Sequence, residues 1–289
     1  MVIGTHHGKF HADEVFAVAM LKQLYPDARI VRSREPEVLS QCDIIVDVGR
    51  GEYDHHTTDK VFRENGLPYA SAGLVWRDFG TKVVRHLGCN EENSDSLTDI
   101  IDEKLIQAID AIDNGIDLEK DARIKGVSEL VGGFNPPWNS DADENFAFQD
   151  AVSFATQILV NQIKSEIGRI EATAVVKEAY EHRSDKALLV LDTFCPWTDT
   201  LFELDVNSEV LYVIFPDRSG EYRLQVVPKS LGSFEARKPL PESWAGTEGD
   251  ELNALTGADD AVFCHPARFI AGAKSLTTIL HMAKLALNE

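Results

Sequence analysis

Short apolar runs alternate with amphipathic stretches over the first fifty residues of the chain. The segments MVIGT, ARIVRS and CDIIVDV predict three strands, and DEVFAVAMLKQLY predicts a helix that ends at Pro26. A strand, a helix and two further strands at this spacing are typical of an α/β layer with a largely parallel sheet covered by helices. Ligands of such sheets collect beyond the carboxyl ends of the strands, so that edge is where chemistry is expected.

The middle of the chain has a helical pattern. The segments SAGLVWRDFGTKVVRHLG and SDSLTDIIDEKLIQAIDAIDNG predict two helices, and the second is expected to stop at its Asn-Gly pair. Residues 126–143, which contain GGFNPPW, predict an irregular loop. Residues 145–183 then form a long helical stretch that suits a connection between domains.

The periodicity changes from about residue 186. KALLVLD, EVLYVIF and YRLQVVP predict strands separated by turns, and SLTTILHMAKLAL predicts a closing helix. The sequence therefore predicts two domains. Residues 1–184 form the larger α/β domain, and residues 185–289 form a smaller C-terminal α/β domain, with the active site expected in a cleft between them.

Composition limits the class of protein. The 289-residue chain has four scattered cysteines without a Cys-x-x-Cys spacing, which favours a reducing compartment over a disulfide framework. No apolar run is long enough to span a bilayer, and no secretory signal pattern precedes the first strand. We therefore expect a cytoplasmic protein without a membrane segment.

The net charge of −20 opposes nonspecific attraction to polyanions. The charge is unevenly distributed, because residues 89–150 are strongly acidic whereas residues 223–241 and 261–288 are mainly basic. An anionic substrate is therefore expected to be held by the C-terminal part.

Histidines and aspartates cluster where the first and third predicted strands end. The candidate donors are His7, His11, Asp13, Asp47, Asp54, His55 and His56. Imidazole nitrogen mixed with carboxylate oxygen, without thiolate, suits Mn²⁺, Fe²⁺, Zn²⁺ or Co²⁺. Seven donors exceed one tetrahedral site and fit two ions that share a bridging carboxylate, although one or two could instead orient the ligands. A single histidine in a loop is usually just solvated, but a group of this size at strand ends favours a metal centre.

Several motifs carry a family resemblance. DHH at residues 54–56 after IIVD resembles the DHH superfamily of metal-dependent phosphoesterases. GTHHGKFHADE, SAGLVW, AIDAIDNGI, RKPLPESWAG and VFCHPARFIAGAKS more closely resemble the melanocyte-proliferating-gene-one family of DHH-like hydrolases, which is associated with RNA exonuclease activity. The resemblance runs from one end of the chain to the other.

The resemblance implies a ligand set and catalytic roles. One ion would be held by His7, His11 and Asp47, and the other by Asp13, Asp47, His55 and Asp113. His11 departs from the family pattern, in which most members have aspartate. Asp110 is the alternative to Asp113. The implied cofactors are two divalent cations, with Mn²⁺ as first choice and Mg²⁺, Co²⁺, Fe²⁺ or Zn²⁺ as alternatives. The implied catalytic residues are Asp47, Asp54 and His56.

The resemblance also implies a substrate site that includes the C-terminal domain. Its expected members are His56, Arg237, Lys238, His265, Arg268, Gly272 and Lys274. Arg223 could follow a longer polyanion and Trp244 could stack on a base or simply pack in the core. Arg268 could bind a phosphate in a bidentate manner, and Gly272 could let backbone amides approach an anion.

Three functions are compatible with these residues. The first is a metal-dependent exonuclease on RNA or short oligonucleotides, with a water activated by two ions. The second is a hydrolase of small phosphoanhydrides or cyclic dinucleotides, and the third is a non-catalytic metal-binding regulator. The intact donor set argues against the third. The metal, the cleavage polarity and whether the protein forms a homo-oligomer stay open.

Overall fold

A computed structural model describes residues 1–56, 60–116 and 126–289 of the protein. The chain divides into two compact units, Met1–Ile167 and Gly168–Glu289. The sequence predicts a domain boundary after residue 184, where the helical pattern gives way to strands, and this boundary stays a prediction. The structure divides the chain within the long helix that precedes that change.

The first unit contains a three-stranded parallel sheet. Its strands are β1 (Val2–Thr5), β2 (Arg29–Arg32) and β3 (Ile44–Ile45), in the order β2-β1-β3. Ile3 of the central strand pairs with Ile30 on one side and Ile44 on the other. β3 is shorter than the predicted run because the chain leaves the extended conformation at Asp47, whose φ is 56°.

Helix α1 (Ala12–Leu24) connects β1 to β2 and packs mainly against helix α3 (Ser71–His86). α1 is buried on all sides, with Val15, Phe16 and Met20 fully inaccessible. Its first turn carries two carboxylates, Asp13 and Glu14, that are buried as completely as these apolar residues. Burying ionisable groups is costly unless they are paired or bind a cation, so the first turn of α1 indicates a functional site.

The other helices that begin in the first unit follow in chain order. They are α2 (Pro36–Leu39), α4 (Ser94–Ile101), α5 (Gln107–Asp113), α6 (Val127–Gly132) and α7 (Glu144–Glu181). The helix predicted over residues 94–115 is interrupted by a π-helical turn, Asp102–Ile106. The prediction of an irregular loop over 126–143 was wrong for its first part, where α6 forms. The long helical stretch is a single helix, α7, that ends in the second unit.

The second unit contains a mixed five-stranded sheet. Its strands are β4 (Leu188–Val190), β5 (Tyr212–Pro216), β6 (Tyr222–Val226), β7 (Ala261–Cys264) and β8 (Ile270–Ala273), in the order β4-β5-β6-β8-β7. β4 and β5 are parallel, and the remaining pairs are antiparallel. Its helices are α8 (Thr198–Leu204), α9 (Gly249–Thr256) and α10 (Leu276–Asn288), with a 3₁₀ turn at Glu242–Trp244.

Two apolar clusters stabilise this second sheet. Trp244, Ile279 and Met282 belong to the cluster that includes α10, and Val176 and Trp197 belong to the cluster that includes the end of α7. The predicted α/β class, with a parallel sheet covered by helices, is confirmed. No helix in the described ranges is long and apolar enough to cross a membrane.

Candidate metal centre

The residues between β1 and α1, His6–His11, form a loop that we call the histidine loop. The structure turns His6 inward, where only 4% of the residue is exposed, and leaves His7 exposed. His6 Nε2 lies 2.9 Å from Glu14 Oε1 and 3.2 Å from Asp47 Oδ2. Burial alone would lower the pKa of His6, but the hydrogen bonds to Asp47 and Glu14 outweigh it and raise the pKa to about 10. His6 therefore faces the carboxylates of the site, whereas His7, the ligand that the resemblance implies, is exposed.

Asp47 lies at the centre of the site. It lies two residues after the end of β3 and adopts a left-handed backbone conformation, which aspartate tolerates better than most side chains. Its Oδ1 lies 3.4 Å from His55 Nδ1 and 3.2 Å from His56 Nδ1, and it accepts a hydrogen bond of 3.2 Å from Ser71 Oγ. Because its Oδ2 faces His6, one carboxylate connects both ends of the cluster.

His55 connects α1 to α5. Its Nε2 lies 3.0 Å from Asp113 Oδ2, and its Nδ1 lies 3.7 Å from Asp13 Oδ2. Burial works against the charged ring, but Asp113 and Asp47 raise the pKa of His55 above its usual value. Burial likewise opposes the charged form of Asp113, yet contact with His55 lowers its pKa. Asp113, the last residue of α5, therefore interacts electrostatically with His55 of the DHH triplet.

The surroundings of the Asp13 carboxylate indicate whether a cation would fit among these residues. The side chain is fully buried, and neither of its carboxylate oxygens has a hydrogen-bond partner among the residues that the structure describes. Burial, and the negative charges of Asp47 and Glu14, raise its pKa. A buried carboxylate without a donor is costly, and a divalent cation would supply the missing partner. The donor set therefore fits a metal.

Among the residues that the structure describes, there are three groups of side chains that could hold a metal, and the ligand atoms within each group lie within 4.8 Å of one another. They are His6, His11, Glu14 and Asp47; Asp47, Asp54, His55 and His56; and His11, Asp13 and Asp113. Asp47 and His11 each belong to two of the groups. Donors shared in this way are what two neighbouring cations with a bridging ligand require. The groups contain imidazole and carboxylate only, which excludes a preference for soft, thiolate-binding metals.

Asp54 holds the triplet in place. It accepts hydrogen bonds from the backbone N–H groups of Arg50, at 2.6 Å, and His56, at 3.0 Å, and it lies 3.0 Å from His56 Nδ1. Burial raises the pKa of Asp54, but these hydrogen bonds outweigh it and lower the pKa. The His56 side chain is 63% exposed. It lines a cavity of about 590 Å³ together with His11 and Asp113.

Asp110, the alternative to Asp113, is engaged elsewhere. It lies 2.8 Å from Arg63 Nη2 and accepts a 2.9 Å hydrogen bond from the Gly73 N–H. Arg63 is in turn bound by Asp102 at 2.6 Å. A Cβ at Gly73 would lie 1.9 Å from Asp110 Oδ2, so this glycine permits the close approach of α3 and α5. The structure therefore brings Asp113, and not Asp110, to His55.

The predicted C-terminal substrate residues lie in the second unit. His265 and Arg268 share the turn between β7 and β8, where Arg268 has a φ of 58° and its N–H donates to the His265 carbonyl at 2.8 Å. His265 is exposed, and its ring lies 4.4 Å from that of Phe269. Lys274 is exposed beyond the other end of β8. His265 and Arg268 therefore lie before the first residue of β8, and Lys274 follows its last residue.

The other predicted substrate residues have partners within the second unit. Arg237 forms a buried ion pair with Asp205, and Lys238 Nζ donates to the Leu287 carbonyl at 2.9 Å. Gly272 lies in β8, and a Cβ there would be 2.7 Å from both Arg223 and the Phe263 ring. Trp244 is only 2% exposed. The structure thus gives Gly272 and Trp244 packing roles, and Arg237 a role in an ion pair.

Two members of the cluster were missed by sequence reasoning, His6 and Glu14. Each adjoins a residue of similar chemistry that was predicted as a ligand: His6 precedes His7, and Glu14 follows Asp13. Which member of such a pair faces inward depends on the backbone path, which a single sequence does not display. The burial of the whole first turn of α1 was the structural signal for Glu14.

Comparisons with known proteins extend over the whole chain. The family model MYG1_exonuc, described as "Uncharacterised protein family (UPF0160)", matches residues 2–287. The MYG1 protein of Dictyostelium discoideum is 33% identical over 100% of this chain and 97% of its own length. The MYG1 exonuclease of Homo sapiens is 35% identical over 99% of this chain and 86% of its own.

Solved structures resemble the chain only distantly. A pGpG-specific phosphodiesterase, PggH from Vibrio cholerae, has a TM-score of 0.33 and 12% identity, with 99% of this chain and 97% of that chain covered. RecJ from Thermus thermophilus in complex with Mn²⁺ has a TM-score of 0.29 and 13% identity, with 100% of this chain and 52% of that chain covered. These scores are too low to support an argument about this site. The match of the family model over nearly the whole length, together with the full-length relatives, shows that this chain belongs to the MYG1 family.

Proposed function

We propose that this protein is a metal-dependent phosphodiesterase that acts as an exonuclease on RNA or short oligonucleotides, with two divalent cations as cofactors. Membership in a family with relatives named exonucleases supports a metal-dependent hydrolase. One structural observation carries the proposal: the buried, unpartnered carboxylate of Asp13 within three overlapping groups of metal-binding side chains, among the residues that the structure describes.

The overlapping groups suggest how the donors would be shared. His6, His11, Glu14 and Asp47 would surround one position. The other would be held by Asp13, Asp47, His55 and Asp113, which contact one another through His55. Bound cations would lower the pKa of water and neutralise charge on phosphoryl oxygens. We take Mn²⁺ as first choice, because mixed imidazole and carboxylate donors accept it readily.

His56 is placed to act on the substrate. Asp54 and Asp47 both face its Nδ1, at 3.0 and 3.2 Å, so this nitrogen carries the proton that they accept. The opposite nitrogen, Nε2, is then available to the substrate, and when the ring is protonated it can donate to a phosphoryl or leaving oxygen. The exposure of the ring and its position on the 590 Å³ cavity support this role.

A short anionic substrate agrees with the charge of the chain. The net charge of −20 opposes long polyanions, whereas Arg268 and Lys274 offer local positive charge in the second unit and His265 offers a hydrogen-bonding ring. These three residues are the proposed substrate contacts of the second unit, whereas Trp244 is buried and packs in the core. The cytoplasmic location stays a prediction.

The proposal is tested by a panel of substrates with purified protein and Mn²⁺. The panel contains five-nucleotide RNA and DNA, a longer RNA, pyrophosphate and cyclic di-AMP. We expect mononucleotide release from the five-nucleotide RNA, loss of this activity in Asp13→Asn, and unchanged activity in Asp192→Asn, an exposed aspartate of the second unit. Hydrolysis of pyrophosphate alone would overturn the exonuclease proposal, and metal binding without hydrolysis of any substrate would favour a regulatory role.

A further inference from the structure

Asn135 contacts the histidine loop from far along the sequence. It follows α6, 125 residues after Phe10, the loop residue that directly precedes His11. Its Oδ1 accepts a hydrogen bond of 2.9 Å from the Phe10 N–H, and its Nδ2 donates one of 2.8 Å to the Phe10 carbonyl. One amide side chain therefore satisfies both backbone groups of the residue before His11.

Asn135 and Phe10 are each fixed by neighbouring aromatic contacts. Phe10 is fully buried, and its ring lies 5.4 Å from that of Phe148 in α7, edge to face. Phe134, next to Asn135, lies 5.3 Å from Phe154, further along the same helix. The hydrogen bonds thus connect two segments that are both packed on α7, so the backbone at Phe10 has little freedom to shift.

Arg32, at the end of β2, holds the opposite end of the loop. Its guanidinium donates to the carbonyls of His6, at 3.1 Å, and Gly8, and also to that of Glu144, at 3.0 Å. It lies 4.7 Å from the centre of the Phe148 ring. The loop reverses at Gly8, whose φ of 90° other residues rarely adopt. The histidine loop is therefore held at both ends.

His11 depends on this backbone support. It contributes to two of the three donor groups, yet it is exposed, so packing alone does not fix its ring. Metal ligands must be held to within a fraction of an ångström by the residues around them. We propose that Asn135 is a positioning residue, which fixes the backbone before His11 so that the imidazole is presented to a divalent cation. This inference rests on the proposed function, because it assumes that the loop binds a metal.

The test compares Asn135→Ala with a matched variant, Asn253→Ala. Asn253, in the second unit, also makes a pair of backbone contacts: Oδ1 accepts from the Ala261 N–H at 2.8 Å, and Nδ2 donates to the Asp259 carbonyl at 3.3 Å. Mn²⁺ affinity is measured on the whole chain by the electron paramagnetic resonance signal of free Mn²⁺. Melting temperature is measured in chelator.

Both variants are expected to lower the melting temperature. Asn135→Ala loses three side-chain hydrogen bonds, including one of 3.1 Å to the Gly132 carbonyl, and Asn253→Ala loses two. Only Asn135→Ala is expected to weaken Mn²⁺ binding, by roughly 10- to 100-fold, as is typical when support for a metal ligand is removed. Wild-type affinity in Asn135→Ala would overturn the inference, as would equal weakening in Asn253→Ala. If Asn135→Ala does not fold, Asn135→Asp replaces it, since it keeps the acceptor for the Phe10 N–H and loses the donor to the carbonyl. Wild-type affinity in that variant would overturn the inference equally.

A third variant, Asp13→Asn, distinguishes a failure of this inference from a failure of the proposed function. If Asp13→Asn loses Mn²⁺ binding while Asn135→Ala retains it, the metal centre stands and only the role of Asn135 fails. If Asp13→Asn binds Mn²⁺ as the wild type does, the proposed metal centre itself fails.

Discussion

At the scale of single residues, the site combines buried negative charge with two inward-facing imidazoles. Asp13, Glu14 and Asp47 are all almost inaccessible, and His6 and His55 lie among them. The neighbouring carboxylates raise the pKa values of both His6 and His55, although burial works against the charged rings. A bound divalent cation would offset this concentration of negative charge.

Asp47→Ala is expected to reduce turnover by roughly 10³-fold or more, because it removes the carboxylate shared by two donor groups. The fold should persist, since removing a buried negative charge does not open the apolar core. Turnover is measured on five-nucleotide RNA, and folding by circular dichroism. Substantial remaining activity in a folded variant would contradict the two-metal mechanism.

Arg268→Ala is expected to raise KM about tenfold with little change in kcat, the result of losing an interaction made equally in ground and transition states. Arg218→Ala is the control, because Arg218 is an exposed arginine of the same unit. Steady-state kinetics on a short oligonucleotide give both constants. An unchanged KM would remove Arg268 from the substrate site.

At the scale of elements, three helices hold the donors at the sheet edge. α1 presents Asp13 and Glu14, α5 ends at Asp113, and α3 begins at Ser71, which bonds to Asp47. The contact between α3 and α5 depends on Gly73 and Asp110. The sequence predicted these helices from their periodicity, but it could not predict which residues allow two helices to touch.

Gly73→Ala is expected to destabilise the protein by about 1–3 kcal/mol, as overpacking in a tight interior typically does. The added Cβ would lie 1.9 Å from Asp110 Oδ2, so α3 and α5 would have to separate. Gly168→Ala in α7 is the matched variant, because a Cβ there meets nothing within 4 Å. It should stabilise by up to about 1 kcal/mol through helix propensity. Urea unfolding measures both, and equal effects of the two substitutions would contradict the proposed contact.

At the scale of the whole molecule, stability is expected to depend on bound metal. A ligand that binds only the folded state raises the free energy of unfolding by mass action. Because the buried carboxylate of Asp13 has no hydrogen-bond partner in the part of the chain that the structure describes, we expect the metal-free protein to be the less stable form.

Asp13→Asn should therefore change stability in opposite directions with and without metal. In chelator, the variant is expected to melt at the same temperature as the wild type or a few degrees higher, because it no longer buries a charge. In Mn²⁺ at a hundredfold excess over Kd, the free energy of unfolding of the wild type should rise by about 3 kcal/mol, whereas that of the variant should hardly change. Differential scanning fluorimetry gives both values, and an equal gain in the two proteins would argue against Asp13 as a ligand.

The sequence by itself determined the class of the fold, the positions of the main elements and the chemical nature of the donors. Hydrophobic periodicity placed β1, α1 and β2 to within a few residues, because burial of an apolar face is a local property of the pattern. Strand order then brought residues 6–13 and Asp47 to one sheet edge, since parallel strands end together. Asp113 was predicted as a ligand from the family resemblance, and not from hydrophobic periodicity.

The tertiary structure decided what depends on contacts between distant segments. It buried His6 and left His7 exposed, in a loop that turns at Gly8 and whose His6 carbonyl accepts a hydrogen bond from Arg32. It assigned Asp110 to Arg63 and Gly73, and it engaged Arg237 with Asp205. Adjacent residues of the same type are equivalent in a sequence, and only the packing of the rest of the chain around them buries one and leaves the other at the surface.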